Sequence, residues 1–327
     1  MTGESIERQP IPRGFIRLAW ASVVTVFLLI ILGGIVRVSD SGLGCGPAGS
    51  GTHGWPLCNG RLVPGVDINH ILEYSHRVAA STAGLLIFAL LIWALRRLRD
   101  QRSIVRLVAA AAALVVFEGV LGGATVEFDL HEVLVAIHLG TAMIIIALLL
   151  AAARAASGLS TEGRWPRSTK RLSIAAAASA WATIVAGGLM SGTQYYGSSK
   201  EYEVGGARLA CGQQFPGCKG GLFPFGDDKM VDIHLTHRAF MYLTLILVVT
   251  LAVMLLRNAK RFDPAIRGDA AAVLVILGVQ ILLGAMNVWL TKNGALIIAH
   301  LTVGTLLWLT TFWISLGVTG RPRRAGP

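Results

Sequence analysis

ILEYSHRVAASTAGLLIFALLIWALRR (71–97) opens with an acid, a histidine and an arginine and then stays apolar for about twenty residues. A run of that length is what a helix needs to cross the hydrocarbon core of a bilayer. It is solidly apolar, whereas a membrane barrel strand alternates at period two. Comparable runs recur outward from it in both directions. They place spans at 17–37, 70–95, 104–126, 131–153, 172–191, 232–256, 268–290 and 294–317. Of the 327 residues, 54% are hydrophobic and 14% charged, with a mean hydropathy of +0.63. A soluble domain carries roughly 25% charged residues. The expected fold class is an all-α polytopic membrane protein with eight transmembrane helices.

The net charge of +11 is not a nucleic-acid footprint, because the basic residues follow a topological rule. Arg96, Arg97, Arg99, Arg102 and Arg106 lie between spans two and three. Arg154, Arg164, Arg167, Lys170 and Arg171 lie between four and five, and Arg257, Lys260, Arg261 and Arg267 between six and seven. Both termini are basic too, so the positive-inside rule puts them in the cytoplasm and the segments 38–69 and 192–231 outside. The opening MTGESIERQPIPRG has acids and no apolar segment, and reads as neither a secretory signal nor a mitochondrial transit peptide. A bacterial plasma membrane is the expected home, with the lipid bilayer as solvent.

All four cysteines, Cys45, Cys58, Cys211 and Cys218, fall on the two outward segments. An oxidising face permits disulfides. Four cysteines allow three connectivities, of which pairing within each segment is the simplest. The alternative, a metal site, is the weaker reading, since spacings of 13 and 7 match no usual zinc pattern.

The two halves of the chain share a pattern. GGIVR (33–37) matches GGLMS (187–191), and GCGPAGSGTHGWPLCNGRLVP (44–64) matches ACGQQFPGCKGGLFP (210–224). YSHR (74–77) matches LTHR (235–238), FEGVLGGATV (117–126) matches VQILLGAMNV (279–288), and AIHLG (136–140) matches IAHLTVG (298–304). His76 and His237 are 161 residues apart, and His138 and His300 are 162 apart. Such constant spacing points to tandem duplication. The expected organisation is a cytoplasmic tail (1–16), a four-helix bundle (17–153), a cytoplasmic linker (154–171), a second, pseudo-symmetric four-helix bundle (172–317) and a cytoplasmic C-terminal tail (318–327). An even number of spans per half makes the repeats parallel.

Duplication also sorts the histidines. His53, His70 and His131 have no histidine partner in the other half; His131 falls opposite Asn293 and His70 opposite Val231. They read as loop or interfacial residues. His76, His138, His237 and His300 recur at matched positions, five to eight residues inside the outward ends of spans two and four of each half. At 1.5 Å per residue that is about 10 Å deep. Imidazole is a usual axial ligand of haem iron, and facing helices of a bundle are where such sites are built. A lone histidine near a helix end is more often interfacial; a duplicated pair at equal depth favours ligation of a tetrapyrrole. Arg77 and Arg238 each follow the first histidine of a pair. Either could hold a haem propionate through charge-assisted hydrogen bonds, or instead snorkel or pair with an acid.

Glu73 is not duplicated, because His234 occupies its place before His237. Three residues from His76, it shares that helix face and can relay a proton, orient a ligand, or form a buried pair with Arg77. Glu118 lies mid-span opposite Gln280 and reads as hydrogen-bonding glue within the bundle. The glycine pairs 33–34, 122–123 and 187–188 allow close helix approach, and leave room for a flat macrocycle as an alternative use.

Taken together, GGIVRVSDSGLGC, WPLCNG, LEYSHR, GVLGGATV and AIHLG in the first half and GGLMSG, CGQQFPGC, THR and AHLTVG in the second resemble the haem A synthase family, over about residues 20–320. The resemblance implies oxidation of the C8 methyl of haem O to the formyl of haem A. It implies that His76 and His138, with Arg77 beside them, hold the substrate haem O in the first half. It assigns His237 and His300 to the iron of haem b in the second, with Arg238 on a propionate. Glu73 matches the family's functional acid, and Cys45 and Cys58 match a pair tied to activity. A haem O synthase upstream, an electron donor and terminal oxidase assembly downstream are the implied partners; oligomeric state is left open, a homo-oligomer included. The insert GPAGSGTHG between Cys45 and Cys58, and Glu118 in place of a glutamine, depart from the family pattern. The competing function is a di-haem b-type electron-transfer cytochrome. A parallel-repeat transporter would need a midplane site, which the histidines do not provide.

Overall fold

A computed structural model describes residues 10–159, 165–193, 206–290 and 293–320. The ends of both expected tails, part of the linker and part of the second outward segment lie outside the described residues. Eight helices follow in order: α1 (Arg13–Val38), α2 (Ile68–Arg97), α3 (Arg102–Glu127), α4 (Glu132–Ala156), α5 (Arg167–Gly192), α6 (Lys229–Phe262), α7 (Ile266–Trp289) and α8 (Gly294–Thr319). All eight are long and apolar enough to span a membrane. Among the described residues the only β-type pairings are isolated bridges, Cys58 with Arg61 and Cys218 with Gly221.

Each expected span is present, and most are longer than the apolar run that marked them. α6 continues through Arg257, Lys260 and Arg261 to Phe262. Lysine and arginine are good helix formers, and their stems lie along apolar surface while the charge reaches water. The even-numbered helices start at side-chain caps. Asp67 accepts from Asn69 N–H at the head of α2, and Asp228 accepts from Met230 and Val231 N–H at the head of α6. His131 and Asn293, which the repeat places opposite one another, cap α4 and α8. That accounts for the unduplicated His131 as a capping group.

In the first half α1 packs on α2 and α4, and α3 on α2 and α4; in the second α5 packs on α6 and α8, and α7 on α6 and α8. The two rings meet along α4–α5, α1–α8 and α4–α8. A main apolar core runs through α1–α4 and reaches across the seam to Ala180 of α5 and Trp308 of α8; a separate one runs through α5–α8. Large apolar side chains such as Leu85, Val120 and Val275 point outward, where lipid would meet them. Helix association in lipid draws on close packing and hydrogen bonds rather than on hydrophobic burial. Accordingly the seam carries Trp181 Nε1 donating to Gly140 O at 3.0 Å. Within the second half, Trp308 Nε1 donates to Ala177 O at 3.0 Å.

A buried hydroxyl cluster ties α5 to α6: Thr244 Oγ1 lies 2.8 Å from Ser179 Oγ and 2.9 Å from Thr183 Oγ1. Thr244→Val removes both links. Interhelical hydrogen bonds in membranes are worth about 0.6 kcal/mol on average and at most about 1.7. For the two links together the variant is therefore expected to lose roughly 1–3 kcal/mol of stability, read from unfolding in mixed micelles against the parent protein.

Both expected disulfides are present, Cys45–Cys58 and Cys211–Cys218. Each closes a tight turn whose central residues have positive φ: Asn59 (50°) and Gly60 (72°) in one, Lys219 (46°) and Gly220 (80°) in the other. Positive φ at both central positions marks a primed turn. The inserted GPAGSGTHG is docked rather than free. Gly49 N–H donates to Glu127 O at 3.2 Å, and Gly51 N–H to Glu127 Oε2 at 3.1 Å, so the end of α3 holds it.

Candidate functional site

His76, His138, His237 and His300 all line one cavity of about 730 Å³ whose walls come from both halves. That volume is within the roughly 300–1,000 Å³ typical of sites that enclose a small organic ligand. In the second half the imidazoles of His237 and His300 face each other with ring centres 6.4 Å apart and planes at 70°. Two imidazoles that share a metal at about 2 Å from each nitrogen have ring centres roughly 6 Å apart. The 6.4 Å spacing of the pair is close to that value. Among the described residues no group of three or more His, Cys, Asp or Glu side chains could hold a metal ion. A two-imidazole set suits a metal whose other ligands arrive with a macrocycle.

The ring nitrogens of these histidines are differently placed. His237 Nδ1 is 3.0 Å from Thr183 O. A carbonyl only accepts, so Nδ1 carries the proton and Nε2 presents its lone pair, the second-shell arrangement common to metal-binding histidines. His138 Nδ1 lies 3.2 Å from Glu118 Oε1, and His300 Nε2 lies 3.3 Å from Gln280 Nε2. The unlike pair Glu118/Gln280 thus serves one position, beside the second histidine of each half. Glu118, read from the sequence as hydrogen-bonding glue within the bundle, makes such a polar contact from α3 to α4, and its partner there is a candidate ligand. The Nδ1 atoms of His76 and His300 are buried without a hydrogen-bond partner.

Glu73 is 3% exposed and joins α2 to the first outward loop. Its Oε2 accepts from Cys45 N–H at 2.6 Å, and its Oε1 pairs with Arg77 one helical turn on. Arg77 Nη1 also donates to Leu57 O at 2.8 Å. Acid and base together clamp the first disulfide loop over the cavity, and both line it. The buried pair read as an alternative from the sequence is therefore formed, at the rim of the cavity.

Arg238 repeats the clamp without the acid. It donates from Nη1 to Gly217 O at 2.6 Å and Pro216 O at 3.2 Å, and from Nη2 to Gln214 O at 2.9 Å. His234, in the position of Glu73, is turned to Ala207 O at 2.8 Å. Both arginines line the cavity, with guanidinium hydrogen bonds directed to loop carbonyls. His70, in the first turn of α2, contacts Asn59 of the first outward loop at 3.2 Å, and His53 lies against Gly60 within that loop.

Arg37 was passed over in the sequence. It sits at the outward end of α1, lines the cavity, and donates to Ser191 O at 3.0 Å and Gly192 O at 3.2 Å at the end of α5. An arginine in the last turn of a span, facing Ser191 in the repeat, was the signal available.

The sequence model of the COX15-CtaA family, described as cytochrome oxidase assembly protein, matches residues 16–312. The chain is 28% identical to the heme A synthase of Halalkalibacterium halodurans over 298 residues, covering 86% of this chain and 92% of the relative. It is 27% identical to that of Alkalihalophilus pseudofirmus over 93% of this chain and 98% of the relative. It is 30% identical to that of Symbiobacterium thermophilum over 81% and 83%, respectively.

Proposed function

The chain belongs to the COX15-CtaA family of cytochrome oxidase assembly proteins, and we propose from that premise that it is a haem A synthase of the bacterial plasma membrane, an oxidase-type enzyme that converts the C8 methyl of haem O to a formyl group. The observation that carries the reading is the pair of half-buried imidazoles of His237 and His300 at 6.4 Å, repeated in sequence by His76 and His138 across the same cavity. The relatives of matching length bear the same activity in their names.

In this reading the first half takes haem O between His76 and His138, and the second keeps haem b between His237 and His300. The halves are tandem copies, a view supported by their matching rings of helix neighbours. Haem b, when bound, supplies a one-electron relay next to the substrate. Converting methyl to formyl removes four electrons and adds one oxygen atom, by two hydroxylations and loss of water. The chain's own part is positional and protonic. Thr183 O orients His237, Glu118 lies against His138, and Glu73 offers a carboxylate at the rim of the substrate half. The disulfide loops close the cavity from the side assigned to the outside, and both termini are placed in the cytoplasm. A haem O synthase supplies the substrate, terminal oxidase assembly consumes the product, and haem A formation draws on an external electron partner.

Haem extraction tests the reading. Cells that make haem O but lack their own converting enzyme are compared with and without this gene, and the extracted haems are separated by chromatography. Haem A is expected only with the gene. A purified protein with two permanent haem b groups and no haem A in the cells would show an electron-transfer cytochrome instead.

A further inference from the structure

Four glycines stand directly against the four histidines. A β-carbon on Gly33 of α1 would lie 3.0 Å from Cε1 of His76 on α2, and one on Gly122 of α3 would lie 3.4 Å from Cε1 of His138 on α4. In the second half a β-carbon on Gly187 of α5 would lie 3.1 Å from Cε1 of His237 on α6, and one on Gly284 of α7 would lie 3.1 Å from Cε1 of His300 on α8. The same ring atom meets the same kind of residue each time, on the helix that precedes the histidine. Real β-carbons rarely come within 3.4 Å of such a neighbour, so at three of the four positions a methyl group would displace the ring.

The residue after each of these glycines has a different task. A β-carbon on Gly34 would meet Leu301 of α8, and one on Gly188 would meet Leu139 and Ala136 of α4, both across the seam between halves. One on Gly123 would meet the Trp55 ring. In α7 that second position is Ala285, which is buried with its methyl in place. The structure therefore accepts a β-carbon at the second position of the motif in α7 while glycine is retained at the first.

We propose that Gly33, Gly122, Gly187 and Gly284 are positioning residues, each the seat against which one imidazole edge rests. Seating the edge on bare backbone lets the ring sit close to the neighbouring helix. It also sets the ring's approach to a metal held between the facing pair. The Nδ1 atoms of His76 and His300 are buried without a hydrogen-bond partner, so on that edge of the ring contact with the seat, rather than a polar tether, restrains them. His237 is tethered through Nδ1 to Thr183 O, His138 through Nδ1 to Glu118, and His300 through Nε2 to Gln280. The inference rests on the reading that these histidines hold porphyrins.

The test uses full-length protein purified from cells supplied with haem. Gly187→Ala and Gly284→Ala are compared with Gly188→Ala and the parent for the electron paramagnetic resonance of the low-spin haem and the rate of haem transfer to apomyoglobin. The parent's haem content is measured first; a parent without haem refutes the porphyrin reading itself and leaves no doubt which idea failed. The two seat variants are expected to shift the low-spin signal and to lose haem roughly tenfold faster, the low end of what an added methyl costs in a packed site. Gly188→Ala is expected to keep the parent signal. Seat variants with the parent signal and transfer rate overturn the proposal, as does an equal shift in Gly188→Ala. If a seat variant does not accumulate, Gly122→Ala, with the most room, replaces it and is expected to give a smaller shift in the first-half haem; an unchanged signal there overturns the proposal equally.

Discussion

His237→Ala protein is expected to come off purification with less than about a tenth of the parent's bound haem b, while His234→Ala protein keeps it. Disturbing a second-shell partner of a metal ligand commonly weakens binding by about 10–100-fold, and deleting the ligand itself is a larger loss. Both residues are histidines, both lie on α6 within one turn, and both are buried or nearly so. Their partners separate them. His234 is bonded to Ala207 O in the loop, whereas His237 faces His300 across 6.4 Å with its Nδ1 already donating to Thr183 O. His234→Ala should loosen the short turn at Gly206–Leu209 and leave the pair intact. The pyridine haemochrome per mole of protein decides the matter. Full haem content in His237→Ala would remove the second-half site, and equal loss in both variants would mean that α6 had simply lost its packing.

How much of this was visible in the chain depends on the range of the interaction. The spans follow from apolar run length, a local property, and only their ends moved: α6 extends to Phe262 because its basic residues remain helical past the apolar stretch. The four histidines stood out because matching sequence patterns in the two halves supply a filter that a single pattern lacks, and all four line one cavity. Within-loop disulfides followed from short spacing on one segment. Other features depended on which face of a helix meets which neighbour. The repeat set Glu118 opposite Gln280, yet nothing local says that both meet the second histidine of their half. The alignment of His131 with Asn293 was visible, but its cause, a shared capping role, needs the helix start itself. The glycine pairs were read as one device for helix approach. In three dimensions adjacent residues of a helix point about 100° apart, so one glycine of the pair faces a histidine and the next faces a different neighbour. The arginines that follow His76 and His237 were weighed for propionates, and the hydrogen bonds they make run to loop carbonyls that no linear pattern could place.

Glu73→Gln is expected to leave fold and haem content near those of the parent while haem A formation falls roughly 10²–10⁴-fold, the range that a positioned acid–base group contributes, and haem O accumulates. The second half supplies the reason. There Arg238 holds its disulfide loop through three carbonyls, with no carboxylate among the described residues paired to it, and the equivalent of Glu73 is a histidine bonded elsewhere. A scaffold of this kind therefore closes its loop without an acid. In the first half the acid is nonetheless present, buried at 3%, on the same cavity as His76 and bonded to Cys45 N–H and Arg77. Glutamine keeps the size and an acceptor oxygen, but its amide must point a donor at either Cys45 N–H or Arg77. A lost charge-assisted hydrogen bond of this type costs about 1.5–3 kcal/mol, a destabilisation that Arg77's bond to Leu57 O limits. The measurements are haem per protein, disulfide content and the haem O to haem A ratio in extracted pigment. Normal haem A with normal haem content would strip Glu73 of its proton-transfer role. Loss of bound haem together with a disordered first loop would make it a clamp residue, and the contrast with Arg238 would then lie in how tightly each loop must close rather than in chemistry.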